Sequence, residues 1–105
     1  NMTMKTFIMS KELRQFQVAY CDKNNNPYYD NITILNNGEL TTNEIVSDFI
    51  NGLKEKGYCV YMIVEISPFK TFEEVEKLIE TNPAEGRKNV RLLYIDKEKN
   101  KTVPG

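Results

Sequence analysis

The side chains best placed to do chemistry are carboxylates. Glu73, Glu74, Glu76 and Glu80 lie close together, and Glu76 and Glu80 have the i, i+4 spacing that puts both on one side of a helix. Such a pair can hold a cation or pass protons. Two of the four have simpler duties. Glu74 stands three residues after Thr71, the spacing of a capping box, and Glu73 favours the positive end of the helix dipole. The cluster reads as the solvated face of a helix, and no metal site is expected.

Histidine is absent from all 105 residues. That removes the acid–base side chain most used near neutral pH and the commonest metal ligand. Ser/His/Asp and Cys/His nucleophiles go with it. Cys21 and Cys59 are too few for a structural zinc site. The five glycines are scattered, so no phosphate-cradling loop is visible. Neither catalytic machinery nor a cofactor is expected, and the chain reads as a non-enzyme.

Positive charge gathers late in the chain, at Arg87, Lys88 and Arg91 and then Lys97, Lys99 and Lys101. With Tyr28, Tyr29 or Tyr94 these would suit a nucleotide or single-stranded nucleic acid, where rings stack on bases and cations track phosphates. Glu85, Asp96 and Glu98 are interleaved, and the formal net charge is −1, so the local excess is modest. Duplex-DNA binding needs a stronger basic excess. Lys56-Gly57-Tyr58-Cys59-Val60-Tyr61 resembles the opening of the ring-bearing signature strand of the RNA-recognition-motif family. That family stacks bases on rings at the third and fifth positions. Here the third is Tyr58 and the fifth is Val60, and the helix expected just before needs Gly57 as its cap. Capping is the reading adopted.

Hydrophobic residues make up 40% and charged residues 28%, the balance of an ordinary globular chain. A length of 105 suits a single domain, with residues 97–105 a fraying tail. The first ten residues, broken by Thr and Lys, read as neither a signal peptide nor a spanning segment. No membrane contact is expected, and a cytoplasmic setting with both cysteines reduced follows. Heavy use of Asn, Lys and Ile marks an AT-rich genome, by association that of a phage or mobile element.

The elements that must position any site follow from periodicity. Thr6 to Met9 is a short apolar run, an edge strand or a tethered terminus. Arg14 to Cys21 alternates Phe16, Val18 and Tyr20 against Gln15 and Gln17, the pattern of a half-buried strand. A turn at Lys23–Pro27 joins it to a second strand near Tyr28–Leu35 as a hairpin. Thr41 and Glu44 have capping-box spacing, and Ile45, Val46, Phe49, Ile50 and Leu53 recur on one helical face. Tyr58–Ile66 is almost wholly apolar, as a central strand would be. A second helix runs from Thr71, with Val75, Leu78 and Ile79 as its stripe, to Asn82-Pro83. Asn89–Asp96 is the last strand. The expected fold is α+β: a two-layer sandwich of a mixed sheet of four or five strands with two helices on one face. Gly52, inside the first helix, reads as tolerated or as a tight helix–strand contact.

Strict alternation sorts the strand residues into two faces. Phe16, Val18, Tyr20, Ile32, Ile34, Val60, Met62, Val64, Val90 and Leu92 would lie under the helices. The other face would carry Gln15, Gln17, Thr33, Glu65 and Arg91, but also Tyr61, Ile63, Leu93 and Ile95. An apolar patch rimmed by polar groups marks an interaction site unless the chain's own termini cover it. The expected function is a non-catalytic protein-binding domain, inhibitory or regulatory, which takes a protein partner or a second copy on that face. The alternative is a nucleotide or single-stranded nucleic-acid binder working through Arg87, Lys88 and Arg91.

Overall fold

A computed structural model describes residues 12–102; the apolar run at Thr6–Met9 lies outside the described residues. Strands β1 (Glu12–Cys21), β2 (Pro27–Asn36), β3 (Cys59–Ile66) and β4 (Val90–Ile95) form one sheet in the order β2-β1-β3-β4. Helix α1 (Thr42–Glu55) joins β2 to β3. Helices α2 (Phe72–Thr81) and α3 (Pro83–Arg87) join β3 to β4, and α4 (Lys97–Thr102) follows β4. The α+β class, the four strands and the two principal helices are those read from the sequence.

Local chemistry explains the boundaries. In the hairpin turn the Asp22 carboxylate accepts from the backbone N–H groups of Asn24 and Asn26 at 2.8 and 3.0 Å. Asn25 adopts a φ of 64°, left-handed backbone that asparagine tolerates. Both capping boxes are formed. Thr41 Oγ1 accepts from the Glu44 N–H and Glu44 Oε1 from the Thr41 N–H, and Thr71 and Glu74 repeat the pattern. Gly57 ends α1 at a φ of 93°, while Gly57 and Tyr58 donate backward to the Lys54 and Leu53 carbonyls, both at 3.0 Å. A side chain at Gly52 would meet nothing within 4 Å, so that glycine is simply tolerated. The proline that stops α2 starts α3, with Asn82 as its N-cap. Lys97–Thr102, read as a tail, is helical, and Asp96 Oδ1 accepts from the Glu98 and Lys99 N–H groups at its start.

Two details of the sheet differ from expectation. Every neighbouring pair is antiparallel, so the sheet is not mixed. The α1 crossover does join strands of one direction, β2 and β3, but β1 stands between them. The second crossover, through α2 and α3, joins antiparallel neighbours, so the handedness rule for parallel strands does not hold it beside α1. Helix α1 covers the face of Phe16, Val18, Tyr20, Val60 and Ile63 with Ile45, Val46, Phe49, Ile50 and Leu53. Phe72, Val75 and Ile79 of α2 instead line a groove with Gln17, Met62, Val64 and Val90, residues of the opposite face.

Strict alternation fails at two bulges. Ala19 faces Met62 and Tyr20 faces Val60, which leaves Tyr61 as an extra residue in β3. Ile63 faces Tyr94 and Val64 faces Leu92, which leaves Leu93 extra in β4. Each extra residue reverses the facing of everything beyond it along the strand. Ile63 is therefore 0% exposed in the core beneath α1, and Leu93 packs against that same core. Glu65 and Arg91, read as outward, share the α1 side. Met62, Val64, Val90 and Leu92 turn away from it.

Candidate interaction surface

The four apolar residues proposed as one patch are thus divided between two faces. Ile63 and Leu93 belong to the α1 core. Tyr61 is buried on the opposite face with Ala19, Cys21 and Met62, and its hydroxyl donates to the Tyr29 hydroxyl at 3.2 Å. Burial, and then that hydroxyl pair, push the Tyr61 phenol well above its ordinary range. The bulge carbonyl of Tyr61 accepts from the Asp96 N–H at 2.9 Å and from Asn100 Nδ2 at 3.0 Å, so α4 is anchored on it. Of the four, Ile95 alone remains exposed.

The basic residues are more dispersed in effect than in sequence. Lys88 and Arg91 border one shallow basin with Glu65. Lys88 Nζ lies 3.5 Å from Glu85 Oε1, and Arg91 Nη2 lies 3.5 Å from Glu65 Oε1. Arg87, at the end of α3, is exposed and does not line that basin. Lys88 and Arg91 thus each stand beside a carboxylate. Among the described residues, no group of three His, Cys, Asp or Glu side chains is placed to hold a metal ion. No described helix is long and apolar enough to cross a membrane.

One polar feature depends on the bulge in β3, which brings Glu65 to the face of Arg14. Arg14 is largely buried and forks onto Glu65, with Nε and Nη2 each 2.7 Å from a carboxylate oxygen. Nη2 also donates to Thr42 Oγ1 at 3.2 Å, at the start of α1. The hydrogen bond to Glu65 raises the Arg14 pKa above its ordinary value against the opposing cost of burial. A signal was present, since Arg14 continues the buried series Phe16, Val18, Tyr20 by one more step of two. Asn36 is buried for a comparable reason. Its Oδ1 accepts from the Gly38 N–H and its Nδ2 donates to the Leu40 carbonyl, shaping the turn into α1.

Apart from Ile95, the exposed apolar side chains lie elsewhere than predicted. Leu13 and Leu35 are register partners and both are open to solvent, Leu35 at 60%. Phe69, in the loop before α2, is 91% exposed. The groove between α2 and the sheet has a volume of about 240 Å³, with Gln17 and Asn31 among its polar lining.

The edges of the sheet are unequal. Edge strand β4 is six residues long, bulged at Leu93 and charged at Arg91. Edge strand β2 is ten residues long and pairs with β1 without a bulge. Its single charge, Asp30, accepts from the Tyr20 hydroxyl at 2.9 Å, and its only proline stands at its first position. Among the described residues β2 pairs only with β1. Natural sheets ordinarily guard such an edge with lysine, proline, a bulge or a covering segment.

The class defined by this architecture is a four-stranded antiparallel α+β domain. No protein-family model matches the chain, no curated protein matches it, and no solved structure matches it.

Proposed function

We propose that this chain is a non-catalytic protein-binding domain, inhibitory or regulatory in kind, which acts by strand addition at the outer edge of β2, unpaired among the described residues, with a second copy as its first partner. The observation that carries this reading is the β2 edge, which no other described strand pairs: ten residues in regular register, one charge, and no bulge. An edge of that kind presents a row of N–H and C=O groups to any extended segment. Antiparallel pairing of β2 with its own copy about a two-fold axis perpendicular to the sheet keeps each face on its own side. Ile32 and Ile34, half-buried at the rim of the α1 core, then meet their counterparts. Thr33 and Leu35 meet theirs on the other face. A cytoplasmic setting and a phage or mobile-element origin fit a small domain of this composition.

Sedimentation velocity over a range of concentrations tests it. Wild type sediments as a concentration-dependent dimer. Thr33→Lys with Leu35→Lys, two exposed positions on β2, places like charges across the pairing and yields a monomer with unchanged far-UV circular dichroism. A wild type that stays monomeric removes self-pairing. If the double variant also retains every partner that wild-type bait captures from host lysate, strand addition at β2 is overturned.

A further inference from the structure

Cys21 closes β1 and Cys59 opens β3, and the two are direct register partners across the antiparallel ladder. Both thiols are free. Opposed residues in such a ladder have Cα atoms about 4.5–5.5 Å apart, within the roughly 4.4–6.8 Å that a disulfide spans. Their environments are unlike: Cys59 is exposed, whereas Cys21 is 0% exposed beside Ala19, Tyr61 and Met62. Burial pushes the Cys21 thiol up, with Lys99 pulling the other way. Cys21 is thus a poor first nucleophile for anything arriving from solvent, and well placed for a second attack on its neighbour.

We propose that Cys59 and Cys21 form a thiol modification site for low-molecular-weight disulfides, with Cys59 as the attacking thiol and Cys21 as the resolving one. In the first step the Cys59 thiolate attacks one sulfur of RS–SR. A Cys59–SR bond forms, the RS–SR bond breaks, and RS⁻ leaves to take up the proton that Cys59 released. In the second step the Cys21 thiolate attacks the Cys59 sulfur. The Cys21–Cys59 bond forms, the Cys59–SR bond breaks, and the second RS⁻ takes up the Cys21 proton. Two protein thiols are oxidised to one disulfide, and one small disulfide is reduced to two thiols. The bridge clamps the β1–β3 ladder at the end next to the Tyr61 bulge.

Reduced protein incubated with glutathione disulfide, quenched with iodoacetamide and weighed intact provides the test. Wild type passes through a glutathione adduct to a product lighter by two hydrogens that takes no label and keeps its far-UV circular dichroism. Cys21→Ser halts at the adduct on Cys59, and Cys59→Ser in its folded state forms neither adduct nor bridge. Wild type that halts at the adduct overturns the proposal, as does one that goes to a disulfide-linked dimer or bridges only once its circular dichroism is lost.

Discussion

At the scale of single residues, Tyr20 shows how burial and one hydrogen bond reach into bulk behaviour. Its ring stacks on Tyr28 and meets Tyr58 edge-on, with centroids 5.6 and 5.0 Å away. Burial, and next the hydrogen bond to Asp30, push the phenol up to about 12 from an ordinary 10.0. The neutral phenol is the form the fold favours. Its contribution is therefore complete below about pH 10 and is lost as the pH rises towards 12, by roughly 2–3 kcal/mol. Urea melts between pH 9 and 11 should show the wild-type midpoint falling more steeply than that of Tyr20→Phe, which has no proton to lose there. Parallel slopes would mean that Tyr20 titrates as a free phenol.

Between elements, the Arg14–Glu65 pair ties β1 to β3, and through Thr42 it ties both to the start of α1. The Arg14 guanidinium also lies 5.3 Å from the Phe16 ring centre, so its neighbours are partly apolar. A mostly buried pair of this kind is costly to break and cheap to replace, because the penalty comes from the charge left behind. Glu65→Ala should destabilise by roughly 1–3 kcal/mol, as expected when a partly buried charge loses its partner. Arg14→Met with Glu65→Met should lie closer to wild type than Glu65→Ala alone. Denaturant midpoints of the variants decide it. Additive losses would show that the two side chains stabilise the fold separately.

For the whole molecule, the division of the sheet into two apolar faces sets which surfaces tolerate charge. Ile63 has no exposed area and sits with Phe16, Val18 and Ile45, whereas Leu92, one residue from the Leu93 bulge, is 53% exposed. Ile63→Lys buries an unpaired ammonium and should unfold the domain at 25 °C. Leu92→Lys should change stability by no more than about 0.5 kcal/mol, as surface substitutions do. Strict alternation predicts the reverse, with position 63 outward and position 92 inward. Far-UV circular dichroism of the two variants separates the alternatives directly.

The sequence by itself determined the four strands and the two principal helices. Period-two alternation marked β1, the Thr-x-x-Glu spacing placed the starts of α1 and α2, and Gly57 and Asn82-Pro83 placed their ends. Each of those signals acts within a few residues, through one backbone angle or one capping hydrogen bond, and so is readable without the rest of the chain. What only the tertiary structure decided was which residues share a face. Tyr61 and Leu93 carry no local mark of a bulge; each is extra only relative to the strand beside it. Because side chains alternate with a period of two, the unpaired Tyr61 moves Ile63 into the α1 core and Glu65 within reach of Arg14, and the second bulge sets Leu93 against the same core. It likewise leaves Met62, Val64 and Val90 to the groove beside α2. The predicted patch of Tyr61, Ile63, Leu93 and Ile95 dissolved for that reason. The position of β2 at the edge of the described sheet emerged only once its neighbours were known, since strand order is a property of pairing and not of any one segment.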